Sequence, residues 1–240
     1  MTESSLIKMD LSYIDENVAL VRERIAEAAK RSGRRAEEVL LMAAIKSADA
    51  DEVNYIHRRL GVCDVGENRV QQLTERYDKL DREGLNIHFI GSLQTNKVKY
   101  ISGKVTLIHS LDSLRLADEI EKQANKKGIV SRVLVEINSG NEENKGGVEP
   151  DEAERFCLDL QKYSSIELCG FMTMAPRCEN KSDYYRYFNR TREISQKIWK
   201  ETLGRSGDPT LSMGMSESFE EAIECGATVV RVGRTLFKKD

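Results

Sequence analysis

Residues 39–68 read VLLMAAIKSADADEVNYIHRRLGVCDVGEN, and their order sets the pattern for the whole chain. Val39–Ile45 is a short apolar run that ends on a charged residue, Lys46. A longer stretch near 49–60, polar on one side, has the spacing of a helix, and Val62–Val65 is a second short apolar run, closed by Gly66-Glu67-Asn68. A short buried strand followed by an amphipathic helix is the unit of a parallel α/β fold.

Outward from this unit the rhythm continues. The further strand candidates are Ile87–Ile90, Thr106–His109, Arg132–Ile137, Glu167–Met172, Thr210–Met213 and Val229–Val232, which makes eight in all. Helical stretches lie near 67–80, 94–101, 112–127, 149–162, 181–202 and 216–224, with Ser110-Leu-Asp112, Glu149-Pro150 and Ser216-Glu-Ser as their clearest starts. Upstream, Ile14, Val18, Val21, Ile25 and Ala28 recur at three- and four-residue steps, which predicts one more helix over about 11–31 that Gly33 ends. Eight βα units without a composition break predict a single (β/α)8 TIM barrel over about 38–237 with an extra N-terminal helix, the whole of 1–240 forming one domain. A doubly wound open sheet is the competing architecture.

Composition narrows the function. Lys and Arg number 37 against 40 Asp and Glu, a net charge of −3 with no long block of one sign, which argues against nucleic acid and against a basic membrane-surface protein. No apolar run approaches ~18 residues and the first residues resemble no leader, so the expectation is a cytoplasmic protein with no membrane segment. The five cysteines contain no C-x-x-C pair and read as reduced thiols. The three histidines show no metal-ligand spacing, so no metal is expected.

In a barrel of this kind, function sits where the strands end. Lys46 closes the first strand, Gly66-Glu67-Asn68 follows the second, Gly91-Ser92-Leu-Gln94 the third, His109-Ser110 closes the fourth, and Thr173-Met174 follows the sixth. Leu40, Met42, Ala44 and Lys46 share one side of a period-2 strand, so the ammonium ends an apolar column; withdrawal from water there lowers its pKa and leaves an amine that attacks an aldehyde. A surface lysine that opens a loop is the competing reading. Ser212-Met-Gly-Met-Ser216 opens a helix and Gly233-Arg234-Thr235 follows the last strand, and together they make an anion cradle where barrels bind phosphate. Arg231 lies among valines in a strand covered on both faces, so it needs an acceptor inside the barrel, an ion pair, or a route to the rim. An amine, a phosphate cradle and an inward Arg suit pyridoxal 5'-phosphate (PLP).

The segments Gly66-Glu-Asn-Arg-Val-Gln71, His88-Phe-Ile-Gly91-Ser-Leu-Gln94-Thr-Asn-Lys97, Ile108-His-Ser110, Lys145-Gly-Gly147, Gly170-Phe-Met172-Thr-Met, Leu211-Ser-Met-Gly-Met-Ser216 and Val230-Arg-Val-Gly-Arg234 occur in order. In them the chain resembles the YggS/PROSC pyridoxal phosphate homeostasis proteins, which look like the alanine racemase barrel standing alone. The resemblance covers roughly residues 11–237. It implies that Lys46 is the Schiff-base lysine, that Arg231 faces the pyridine nitrogen, that Ser216 with the backbone of Met215, Gly233 and Arg234 grips the phosphate, and that Asn68 lines the cofactor. Two departures stand beside the lysine: Ala44-Ile45 replaces the usual small and Ser residues, and the proline that commonly follows is absent from Ser47-Ala-Asp-Ala. Ile45 should point toward the helices.

The resemblance implies a PLP carrier that holds the cofactor as a Schiff base, takes part in intracellular PLP homeostasis and supply, acts as a monomer and hands PLP to PLP-dependent apoenzymes. A PLP-dependent amino-acid racemase is the alternative. Racemisation needs a base on each face of the ring, and Lys46 serves one. In the fold-related racemases the other base comes from a second, β domain, and this sequence ends seven residues after Gly233. An Arg against the ring nitrogen also makes a weaker electron sink than an Asp, although true racemases of this fold carry it. Lys145 is a candidate second amine, with a solvated loop lysine as the competing reading. A class I aldolase using Lys46 without PLP, and an interaction module with no ligand, complete the alternatives.

Overall fold

The computed structural model describes residues 10–140 and 146–239. In order, its elements are α1 (Ser12–Arg31), β1 (Leu40–Ala44), α2 (Ala50–Leu60), β2 (Asp64–Glu67), α3 (Val70–Arg76), β3 (Asn86–Phe89), α4 (Val98–Ile101), β4 (Leu107–Leu111), α5 (Leu114–Lys127), β5 (Ser131–Glu136), α6 (Ala153–Leu160), β6 (Ile166–Met172), α7 (Asp183–Lys197), β7 (Thr210–Met215), α8 (Phe219–Glu224) and β8 (Val229–Val232). The eight strands pair in parallel in chain order and close, β8 against β1. This is the (β/α)8 barrel that the sequence predicts, and closure removes the open-sheet alternative.

The outside of the barrel wall is apolar for a simple reason: each strand's outward side chains meet the buried stripe of a helix. Small and branched residues fill these outward positions, among them Ala43, Ile45, Val65, Val133, Val135, Val230 and Val232, all in one cluster with the helix residues Val53, Ile56, Leu116 and Phe188. Helix α1 buries the whole predicted stripe, Ile14, Val18, Val21, Ile25 and Ala28, and packs on α8 and α2. Ion pairs Arg24–Glu220 at 2.9 Å and Arg31–Glu224 at 2.6 Å flank that seam.

Several boundaries depart from the expected ones. β2 lies two residues later than its apolar run suggests, because Glu67 takes a place in the wall: it is fully buried, and its Oε1 accepts the N–H of Asn68 at 2.8 Å and of Arg69 at 3.2 Å. β4 continues through Leu111, so His109 is a mid-strand residue inside the barrel and does not close the strand. β7 runs on to Met215 and α8 starts only at Phe219, so Ser216 sits in a turn rather than on a helix terminus. Among the described residues no helix is long and apolar enough to cross a membrane.

Candidate functional site

At the carboxyl end of the barrel a cavity of about 740 Å³ opens over β1, β2, β7 and β8. Lys46, Asn68, Met215, Ser216, Arg231, Gly233 and Arg234 all line it. Residues separated by up to 188 positions in the chain are thus brought to one opening by the closure of β8 on β1.

Lys46 follows β1 after Ile45. The alternation of the strand decides its place: Leu40, Met42 and Ala44 face the barrel interior with Ile90 and Val229, while Ile45 is buried among the helices. Ile45 therefore occupies the side expected of it, and the departure from the family pattern at that position is absorbed by the helix layer. The turn is held by Arg76 of α3, which donates to the carbonyl of Ile45 at 2.8 Å and faces the buried Glu67 carboxylate at 3.5 Å. Burial pushes the Glu67 carboxyl up, against the pull of Arg76 and the two backbone N–H groups. Lys46 itself is exposed on the rim. The withdrawal from water expected of its ammonium does not occur here, because β1 ends at Ala44 and the side chain leaves the wall above the apolar column.

Asn68 owes its position to the loop after β3. Gly91 lies so close to it that a Cβ at residue 91 would fall 2.0 Å from the Asn68 carbonyl oxygen, so only glycine lets the two loops stack. On the far side, the Met215 N–H donates to the Ser218 hydroxyl at 3.3 Å and the Gly233 N–H to the Ser216 hydroxyl at 3.4 Å. Both bonds are at the long end of the range, which leaves these donors open to a stronger acceptor. The helix-terminus contribution expected at Ser216 is replaced by this turn of hydroxyls and backbone N–H groups. The Arg234 guanidinium turns out to solvent and pairs with Glu217 at 2.5 Å.

Among the described residues Arg231 is the one cation sunk in the site, 4% exposed, and in register with Met42 of β1. Its acceptors are uncharged: Nη1 donates to the Ser212 carbonyl and to the Ser212 hydroxyl, both at 2.7 Å, and Nη2 to the Thr173 carbonyl at 2.9 Å. The ion-pair reading gives way to this cage, since among the described residues no carboxylate is paired with it. Burial lowers its pKa to about 10, with Glu136 opposing, so the guanidinium stays charged at neutral pH.

Chemically, the cavity offers a primary amine at one edge, hydroxyl and backbone donors across from it, and a buried cation with donors at its base. It suits a ligand with an electrophilic carbon, an anionic group and a hydrogen-bond acceptor between them. Alanine racemase, N-terminal domain, is the family model that matches residues 9–240. Over 222 residues the chain is 44% identical to the pyridoxal phosphate homeostasis protein of Aquifex aeolicus, covering 92% of this chain and 96% of that one. The chain belongs to the pyridoxal phosphate homeostasis family.

Among solved structures, PipY of Synechococcus elongatus with PLP bound superposes with a TM-score of 0.78 at 25% identity, over 94% of this chain and 100% of that one. An alanine racemase of Clostridium difficile shares the fold, with a TM-score of 0.75 at 19% identity, over 96% of this chain and 57% of that chain.

This member of the homeostasis family also presents cavity residues that the sequence reading missed. Ala175 and Arg177, in the segment after β6, line the opening beside the expected Met174, as does Tyr184 from the first turn of α7. A cation just past a strand end, the signal used for Lys46 and Arg234, would have found Arg177. Tyr184 is a buried helix residue stacked on Phe188 and has no such signal. Lys145 lies outside the described residues.

Proposed function

We propose that this chain is a PLP-binding protein of the cytoplasm, one domain from end to end, that holds the cofactor on Lys46, takes part in PLP homeostasis as a monomer, and supplies PLP-dependent apoenzymes without catalytic turnover. The observation that carries this reading is the single cavity that joins Lys46, the Ser216–Gly233 donors and the buried Arg231. Relatives named pyridoxal phosphate homeostasis protein, matched over nearly their whole length, and the PLP-bound PipY support it.

The residues fit the group. PLP brings an aldehyde that condenses with an amine and expels water, a phosphate, and a ring nitrogen. Lys46 supplies the amine. Ser216 and the N–H groups of Met215 and Gly233 supply phosphate donors. A Cβ at residue 233 would lie 2.6 Å from the Ala44 carbonyl oxygen, so the turn presses its bare backbone on the end of β1 beside the cavity. Arg231 supplies an N–H to the ring nitrogen; as a donor that keeps its own proton, it leaves that nitrogen unprotonated. Asn68, just past β2, would line the ring. Arg177 and the exposed Met174 and Met215 border the opening through which a recipient enzyme takes the cofactor.

The racemase reading needs a second base. Tyr184 and Glu217 line the cavity, but Glu217 pairs with Arg234, and the Tyr184 hydroxyl accepts the Cys178 N–H at 3.3 Å. Incubation with PLP, borohydride reduction and peptide mass measurement test the main reading. The expected result is a reduced PLP adduct on Lys46, absent from Lys46→Ala. No adduct, or one only at other lysines, sinks it, and Cα deuterium exchange in any amino acid turns it toward a racemase.

A further inference from the structure

Below the cavity, five side chains from five strands are hydrogen-bonded in series. Arg231 Nη1 donates to the Ser212 hydroxyl at 2.7 Å, the Ser212 hydroxyl contacts His109 Nδ1 at 3.0 Å, His109 Nε2 contacts His88 Nδ1 at 3.0 Å, and His88 Nε2 contacts Asp64 Oδ1 at 3.0 Å. Arg231, Ser212 and His109 are buried, while Asp64 opens β2 at the opposite end of the barrel. The chain therefore runs from the cavity to the amino-terminal mouth.

The proton positions follow from its two ends. A guanidinium only donates and a carboxylate only accepts. From the Asp64 end, His88 donates from Nε2; neutral, it accepts at Nδ1, so His109 donates from Nε2 and accepts at Nδ1 from the Ser212 hydroxyl. From the Arg231 end, the Ser212 oxygen accepts from Nη1 and its own proton goes on to His109. Both directions give one arrangement, with every donor pointing from Arg231 toward Asp64.

We propose that Ser212, His109 and His88 are positioning residues that hold Arg231 and report to it the protonation of the Asp64–His88 pair. The role for Arg231 rests on the PLP reading above; the relay itself does not. A proton added at the amino-terminal mouth lands on His88, which then donates from both nitrogens. His109 must then accept at Nε2, so its proton moves to Nδ1 and points at Ser212. The Ser212 oxygen, receiving from both His109 and Arg231, turns its own proton away and loosens its hold on the guanidinium. His109 changes tautomer and stays neutral, because burial, His88 and Arg231 all hold its pKa well below the ordinary value. The charged groups facing the relay are Asp64 from β2 and Arg231 from β8; Glu136 of β5 acts on Arg231, and β1 and β6 present Met42 and Thr173.

The protein's three histidines make the test direct. Long-range proton–nitrogen NMR of the full chain, stripped of cofactor with hydroxylamine and assigned with His57 and His88 variants, reads each ring's tautomer against pH. At neutral pH both His88 and His109 are expected to carry the proton on Nε2. On acidification, His109 is expected to shift it to Nδ1 with the same midpoint at which His88 becomes charged. Ser212 is the one side chain that links His109 to Arg231, so the pH response of the Arg231 guanidinium proton resonances expected in the wild type should vanish in Ser212→Ala, and Ser212→Thr should restore it. A proton on His109 Nδ1 at neutral pH, a tautomer indifferent to His88, or an Arg231 response that persists in Ser212→Ala overturns the relay. PLP titration of the wild type is the separate arm: failure to bind PLP removes the cofactor reading and leaves the tautomer result standing.

Discussion

Outward-facing residues of the barrel wall merge with the helices into one apolar cluster that extends from Ile14 to Leu236. Inward-facing residues instead divide into two small clusters, Met42, Ile90 and Val229 on one side and Leu107, Leu134 and Met172 on another, beside the polar series from Asp64 to Arg231. Both regions exclude water, but they hold charge differently: the outer one sets the buried Glu67 against Arg76 of α3 at 3.5 Å, while the inner one holds Arg231 among uncharged acceptors. The lesson is that burial here does two jobs: the outer layer stabilises the barrel through apolar area, while the inner layer holds one cation in a fixed direction by satisfying every polar neighbour.

The comparison breaks most visibly on a large deletion in the outer layer. Leu116 of α5 is 2% exposed within the main cluster. Leu116→Ala should cost about 2–5 kcal/mol and lower the melting temperature by roughly 5–15 °C. PLP affinity of the folded variant should stay at the wild-type value. A parallel loss of affinity in a spectroscopic titration would show that the two layers are not separable.

The inner layer predicts a pH effect centred on one carboxyl group. Glu136 ends β5, and burial, helped by Asp112 and opposed by Arg231, raises its pKa from 4.5 to about 7. The native state therefore keeps its proton where the unfolded chain has already released it. The group's contribution is complete below pH 4.5 and is lost as pH rises to about 7, a decline on the order of 3 kcal/mol at most. Urea unfolding should show Glu136→Gln more stable than wild type above pH 7, with the two converging in acid. Equal curves at high pH would mean that the carboxylate is solvated in the native state.

The two layers also differ in how much of them could be read from sequence. The stripe of α1, the strand at 39–45 and the outward placement of Ile45 follow from periodicity, because each is a local pattern of apolar residues against one neighbour. β2 and His109 do not. Glu67 and His109 look like residues that end a strand; inside the wall Glu67 Oε1 accepts two N–H groups of the following backbone and its carboxylate faces Arg76, and His109 meets Ser212, 103 positions away. The candidate site was legible where it follows the rule of strand ends, as at Lys46, Ser216 and Gly233. Arg177 obeys that rule and was overlooked, and Tyr184 enters from a helix that no strand rule reaches.

The smallest expected effect lies where the layers meet. Asp49 caps α2 three residues beyond Lys46; its side chain accepts the Glu52 N–H at 2.9 Å, and Glu52 returns the bond to the Asp49 N–H at 2.9 Å. Glu52 also receives the Tyr13 hydroxyl at 2.5 Å, which ties the cap to α1. Asp49→Ala should cost about 1 kcal/mol by chemical denaturation, and Asp49→Ser should recover most of it. Adduct formation on Lys46 should proceed at the wild-type rate, because the carbonyl before the lysine is held by Arg76 of α3 rather than by α2. If trapping slows in Asp49→Ala and recovers in Asp49→Ser, the helix cap sets the direction of the lysine, and the boundary between stabilising layer and site moves outward to include the start of α2.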